Sequence, residues 1–163
     1  MFKPNNYVVY KRSVCQVKSI TKNSFANKDY YTLIPIDDNS LTINIPVENE
    51  ISNLRNIITK KDAEALINSI PSISIIKSED KMLETEYKRL LSTDKLEDLI
   101  SIIKTTYLRN YERKKAGKKI GDKDNTYFNR AEKYLYNELS LALNMNYEEV
   151  KKYIFKKVDE LSK

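Results

Sequence analysis

Residues 41–55 read LTINIPVENEISNLR, and their pattern settles which architecture the front of the chain can form. Leu41, Ile43 and Ile45 alternate with Thr42 and Asn44. That period of two places one side of a strand on a core and leaves the other side for a partner. Pro46 ends or edges the strand, because proline has no amide to give to a ladder. The chain then turns polar and resumes an extended pattern at residues 54–58. No residue here carries catalytic chemistry, so the segment predicts a small β module that offers a strand edge to another protein.

Around this segment lie further short runs rich in β-branched and aromatic residues, at 7–10 (YVVY), 14–22 (VCQVKSITK) and 30–36 (YYTLIPI). Asp37, Asp38, Asn39 and Ser40 form a turn cluster that predicts a hairpin between the strands at 30–36 and 41–45. Five short strands with tight connections imply a small β-barrel or a strongly bent antiparallel sheet. From Thr59 onward the period becomes helical, so the whole reads as α+β: a β module over 1–58 and an all-α domain of four to five helices over 59–163. Thr59 is placed to cap a helix over 60–69, which Pro71 breaks. Ser78 or Asp80 starts a second helix, running to about residue 91. A third spans about 95–115, with Leu96, Leu99, Ile103, Tyr107 and Tyr111 along one apolar stripe. A fourth spans about 125–143 and places Phe128, Ala131, Leu135, Leu139 and Ala142 on one face. Asn146 caps the fifth, with Glu149 completing a capping box and Tyr147, Val150, Ile154, Val158 and Leu161 as its buried stripe.

Composition removes several kinds of chemistry. The chain has no histidine, the commonest general base and zinc ligand. Its one cysteine, Cys15, makes an internal disulfide impossible and lies in a strand pattern, where it reads as a small core residue in a reducing setting. No phosphate loop, metal-ligand spacing or nucleophile–base pair occurs. Neighbouring Glu148 and Glu149 read as a helix cap rather than as a catalytic pair. The expectation is a non-enzymatic protein without metal or cofactor. No apolar run approaches the roughly 18 residues that span a bilayer, and the N-terminus lacks a signal-peptide pattern. With 163 residues, 40% of them apolar and 32% charged, the chain can bury a core. Its formal charge of +6 and pI near 9.2 suit an anionic partner.

Three segments resemble one family. IPVEN followed by NLR and a capped helix, the break LLSTD at residues 90–94, and RAEKYLYNELSLALNMNYEEVKKYI at residues 130–154 occur here in order. Together they resemble the CarD/CdnL family of bacterial transcription regulators over residues 7–154. The resemblance implies an N-terminal Tudor-like module, shared with the transcription-repair coupling factor, that binds the RNA polymerase β subunit. It also implies a helical domain that meets promoter DNA at the upstream edge of the melted region and stabilises the open complex. The molecule would then be a monomer in the cytoplasm, associated with the nucleoid. The polymerase-facing residues would be Asn23, Thr42, Ile43, Asn44, Ile45 and Pro46. The sequence also departs from the family. Tyr10 is followed by Lys11, Arg12, Ser13 and Val14 instead of a proline and a glycine turn. Asn44 stands where some relatives carry an arginine. No tryptophan is present for the minor-groove wedge, whose place falls near Glu79 or Asp80. Met82 is the nearby apolar candidate, its other reading being burial in the helix core.

Charge supplies the remaining candidates. Residues 104–119 hold seven basic side chains against one acid, Glu112, a net charge equal to that of the whole chain. Within them Arg109 and Arg113 share a helix face and Lys114 begins the following basic loop, a pattern that can neutralise DNA phosphates. Lys81, Lys88 and Arg89 form a second cluster, offset by Glu84 and Glu86. Asn125 and Arg130, near the expected start of the fourth helix, form a third, with the amides of residues 125–127 available to a phosphate. Such contacts position DNA and read little sequence. A protein-only adaptor, whose helical domain recruits another protein, remains the alternative.

Overall fold

The computed structural model describes residues 1–48 and 53–161. Residues 49–52, which include Asn49 of the IPVEN motif, and residues 162–163 lie outside the described residues. The chain is α+β and divides into two compact units, Met1–Ile57 and Ile58–Lys163.

The first unit is an antiparallel sheet of five strands among the described residues: β1 (Tyr7–Tyr10), β2 (Ser13–Phe25), β3 (Lys28–Pro35), β4 (Ile43–Pro46) and β5 (Arg55–Asn56). Their spatial order is β4-β3-β2-β1-β5. The sheet therefore ends in two edges, β4 and β5, and is not closed into a barrel. Register pairs Val8 with Cys15, Val17 with Leu33 and Tyr31 with Ile45. These six side chains form the buried core. Burial, and secondarily the charge of Asp37, pushes the Cys15 thiol up to about 11, so it stays protonated and inert as a packing group.

The hairpin between β3 and β4 forms around the turn cluster as expected. The amide of Leu41 donates to Asp38 O (3.2 Å), and the Asp38 carboxylate accepts from the amide and hydroxyl of Ser40. A second hairpin had no glycine to announce it. Ala26 and Asn27, at φ 51° and 58°, join β2 to β3 through a two-residue turn with both centres left-handed, the geometry that matches strand twist. Strand β2 shifts register between Val17 and Ser19 and again between Thr21 and Phe25, and such irregularities bend a strand. The extended pattern at 54–58 shrinks to two paired residues. The amide of Ile58 instead donates to the buried carboxylate of Glu138 at 3.0 Å, within the second unit.

The second unit contains five α-helices among the described residues: α1 (Lys60–Ser69), α2 (Asp80–Leu91), α3 (Leu96–Lys115), α4 (Asp122–Leu143) and α5 (Tyr147–Leu161). A 3-10 turn, Ile70–Ser72, follows α1 at Pro71. Thr59 caps α1 by accepting the Asp62 amide. Asn146 and Glu149 exchange the two bonds of a capping box ahead of α5. One apolar core fills the unit, with Ile67, Leu99, Ile102, Ala131, Leu139 and Val150 fully buried.

Three expectations for the helices are corrected. On α5 the stripe keeps Val150 and Ile154 buried, but Leu161 is 46% exposed. Helix α4 starts three residues early: Gly121 is its N-cap, and the Asn125 amide already donates to Gly121 O at 2.9 Å. The amides expected to hold a phosphate at Asn125 are therefore not at a helix start. On α3 the apolar stripe does not stay buried. Leu96 and Leu99 are in the core, but Tyr107 and Tyr111 are 58% and 53% exposed. The buried face passes instead through Ile102, Thr105 and Thr106. The threonines can face inward because their hydroxyls donate to the carbonyls of Ser101 and Ile102 one turn back.

Candidate functional site

On the sheet, β4 is an edge strand whose outer side has no strand partner among the described residues. Its side chains divide as their alternation requires. Ile45 is buried and Ile43 half-buried against the core, while Asn44 is exposed, with exposed Thr42 just before the strand. The side chain of Ile45 thus belongs to the core, and only its main chain lies on the sheet edge. Pro46, half-buried, lies opposite Tyr30. Asn44 Oδ1 accepts from the Thr32 hydroxyl at 3.1 Å, which orients its carboxamide. Asn23 is exposed at the irregular end of β2, at φ 52°, with its amide donating to the Asp29 carboxylate. Asn44 also shares a shallow hollow with Thr21, Phe25 and Tyr30. Phe25 is 72% exposed there. These three were missed in the sequence, although the alternation of Tyr30 and Thr32 with buried Tyr31 and Leu33 was a signal for Tyr30.

The cations of the helical unit fall into two groups. The first group is tied down. Arg109 Nε donates to Asp124 Oδ2 at 2.9 Å and its Nη1 to Asp80 Oδ1 at 3.0 Å. Burial pulls its guanidinium down, but the two carboxylates outweigh that and push it up. Asp124, itself buried, also accepts from the Tyr87 hydroxyl at 2.8 Å. Arg109 is therefore a structural bridge between α2, α3 and α4. Lys104 donates to the carbonyls of Ile70 and Ile73 around the 3-10 turn. Arg113 Nε donates to Lys119 O at 2.9 Å. Lys88 pairs with Glu84 and Arg89 with Glu86, both one turn away on α2. The Arg89 hydrogen bond holds the Glu86 carboxyl below its usual range.

The second group is exposed: Lys114, Lys115, Lys118 and Lys119 have no ion-pair partner among the described residues. They occupy the end of α3 and the turn after it. Gly117, at φ 75°, closes that helix in a left-handed cap: its amide donates to Lys114 O and the Lys118 amide to Arg113 O at 2.8 Å. Arg130 is exposed and lies over the Tyr127 ring, 5.7 Å from its centroid. At the place expected for the family's wedge, Glu79 pairs with Lys81, and Asp80 is held by Arg109. Met82 is 47% exposed, so it is a surface side chain and not a core one.

The buried hydroxyls give this unit an alkaline limit. Burial, then the Asp124 hydrogen bond and charge, raises Tyr87 well above 10.0. Burial and the Glu132 charge raise Tyr136, and the same causes take Tyr147 to about 12. An unfolded tyrosine loses its proton near 10, before the folded one does. The stability these groups carry is whole below that pH and is lost as pH rises through the folded values. The thermal midpoint is expected to be level between about pH 7 and about pH 9 and to fall above about pH 10. Tyr87→Phe should flatten that fall, as read by circular dichroism. A slope identical to wild type would contradict the assignment.

Among the described residues no group of three or more His, Cys, Asp or Glu side chains could hold a metal ion. Among the same residues no helix is long and apolar enough to cross a membrane. No model of a known protein family matches the chain, and no curated protein matches it either.

Proposed function

We propose that the chain is a CarD/CdnL-like transcription regulator, with a Tudor-like first unit that binds the RNA polymerase β subunit and a helical unit that contacts promoter DNA and stabilises the open complex. The observation that carries this reading is β4, an edge strand backed by a core through Ile45 and presenting Asn44 and Thr42 outward. An edge of this kind supports pairing with a strand of the partner, where main-chain bonds supply affinity and outward side chains supply selectivity. The exposed lysines at 114–119 support a DNA contact that acts on phosphates and falls steeply with salt. Binding of the purified chain to the isolated polymerase β lobe, with slower collapse of a preformed open complex, is the expected result. Failure on both counts ends the proposal.

The pairing of Arg109, Lys88 and Arg89 with acids favours one second reading, a protein-only adaptor. Reversing Lys114, Lys115 and Lys118 to glutamate separates the two. If DNA is bound, the logarithmic salt slope of promoter association drops by about one for each phosphate that the variant no longer neutralises, while binding to the β lobe is unchanged. Promoter association equal to wild type would instead select the adaptor.

A further inference from the structure

The aromatic side chains that α3 leaves outside the core surround a small hollow. Tyr107, Asn110, Tyr111 and Lys114 line it from α3, Ile120 from the turn that follows, and Asn125 and Phe128 from α4, around a volume of about 200 Å³. Three flat rings, one isoleucine, two carboxamides and an ammonium group thus face one small space. The carboxamide of Asn125 and the hydroxyls of Tyr107 and Tyr111 have no hydrogen-bond partner among the described residues. Asn110 Oδ1 accepts the Gly121 amide at 3.2 Å, which leaves its NH2 group as a donor. Lys114, Lys115, Lys118 and Lys119 set the sign of the local field: against these four cations Glu112 is the one acid in residues 104–119, and Arg109 leaves one net negative charge on the Asp80–Asp124 pair.

We propose that this hollow takes one unpaired base of single-stranded DNA, stacked on the tyrosine or phenylalanine rings, met at its edge by Asn110 and Asn125, and followed by its phosphate at Lys114. Every base has a face to stack, so the pocket would select unpaired strands with little regard to sequence. In a duplex the faces are already stacked. An apolar peptide side chain is a poorer match, since it would cover two carboxamides and two hydroxyls without replacing their bonds to water. A larger apolar groove of about 570 Å³, sharing Tyr107 and Phe128 and continuing along Ile103 and Phe155, lies beside it. Its cations, Lys104 and Lys151, are already bonded, to the 3-10 turn and to Glu132.

This inference rests on the DNA-binding half of the proposed function, and the test keeps the two apart. The full chain is titrated, by fluorescence anisotropy, into three probes: an oligothymidylate of about twelve nucleotides, an abasic strand with the same number of phosphates, and a duplex of the same length. The oligothymidylate should bind about tenfold more tightly than the abasic strand. The double variant Tyr107→Ala, Tyr111→Ala should remove that difference and keep the abasic affinity. Tyr107→Phe with Tyr111→Phe should keep the difference. Both tyrosines are more than half exposed, and an unchanged thermal midpoint checks that the variants fold. Equal binding of base-bearing and abasic strands, or a double alanine variant that binds as wild type, overturns the pocket and leaves a phosphate-binding surface standing. Binding of none of the probes overturns the pocket and the DNA half of the proposed function together.

Discussion

Replacing Asp124 by alanine is expected to lower the stability of the helical unit by about 3 kcal/mol, because it leaves a buried hydroxyl and a half-buried cation without their shared acceptor. Asp124 takes the Tyr87 hydroxyl on one carboxylate oxygen and Arg109 Nε on the other. Those bonds tie α2, α3 and α4 together at one point. The figure sits at the low end for a broken buried pair. The Arg109 side chain is 32% exposed and keeps Asp80, so water and a second carboxylate absorb part of the loss. Urea unfolding followed by far-ultraviolet dichroism reads the effect as a lower midpoint with an unchanged slope. Changing Arg109 to methionine in the same background measures the coupling directly, since the double variant should cost clearly less than the two singles added. A single Asp124→Ala variant within about 0.5 kcal/mol of wild type would show that the three groups do not act together.

The second large effect lies in the sheet. Tyr31→Ala is expected to cost about 3–5 kcal/mol, the range for deleting a fully buried aromatic ring, and to unfold the first unit. The unit has six fully or almost fully buried side chains in its core cluster, so one ring is a large share of its stabilising area. Tyr31 pairs with Ile45 across β3 and β4, and its ring meets Phe2 edge-on with centroids 6.0 Å apart. Its hydroxyl accepts the Phe2 amide at 3.0 Å. Loss of the ring removes the packing behind the β4 edge, so the proposed binding to the polymerase β lobe should vanish with it. Tyr31→Phe removes the hydrogen bond alone and should cost about 1 kcal/mol, with binding retained. If Tyr31→Ala unfolds the sheet while lobe binding persists, β4 is not the docking edge.

Local signals were legible in the sequence, and distant ones were not. The caps at Thr59 and Asn146 and the turn at residues 37–40 are set by neighbours within four residues, and each formed where its residues predicted. Helix α3 shows the opposite case. Its apolar stripe through Tyr107 and Tyr111 looked continuous, yet the core takes Thr106 in its place. The acid that neutralises Arg109 sits fifteen residues further on, on another helix. No window of one helix can reveal that pair. Gly121 is an unremarkable cap, so the residue pattern predicts the start of α4 three residues late, although Asp122 and Asp124 in the first turn are a usable sign. Among the candidate cations the sequence could count charges but not engagements. Arg109, Arg113, Lys88 and Arg89 are bonded within the fold, while Lys114 keeps its ammonium exposed. The sequence puts Met82 on a helix, but its exposure depends on how α2 is turned.

The left-handed cap at Gly117 sets the mechanical character of the lysines around it. The short bend from residue 116 to 121 is fastened at three points, by the Lys118 amide on Arg113, by Arg113 on Lys119 and by the Gly121 amide on Asn110. In the proposed DNA contact its backbone would arrive already set, and little chain disorder would have to be surrendered. On that proposal the lysines act as a comb whose spine is fastened before contact, so encounter should be governed by long-range attraction more than by a folding step at the surface.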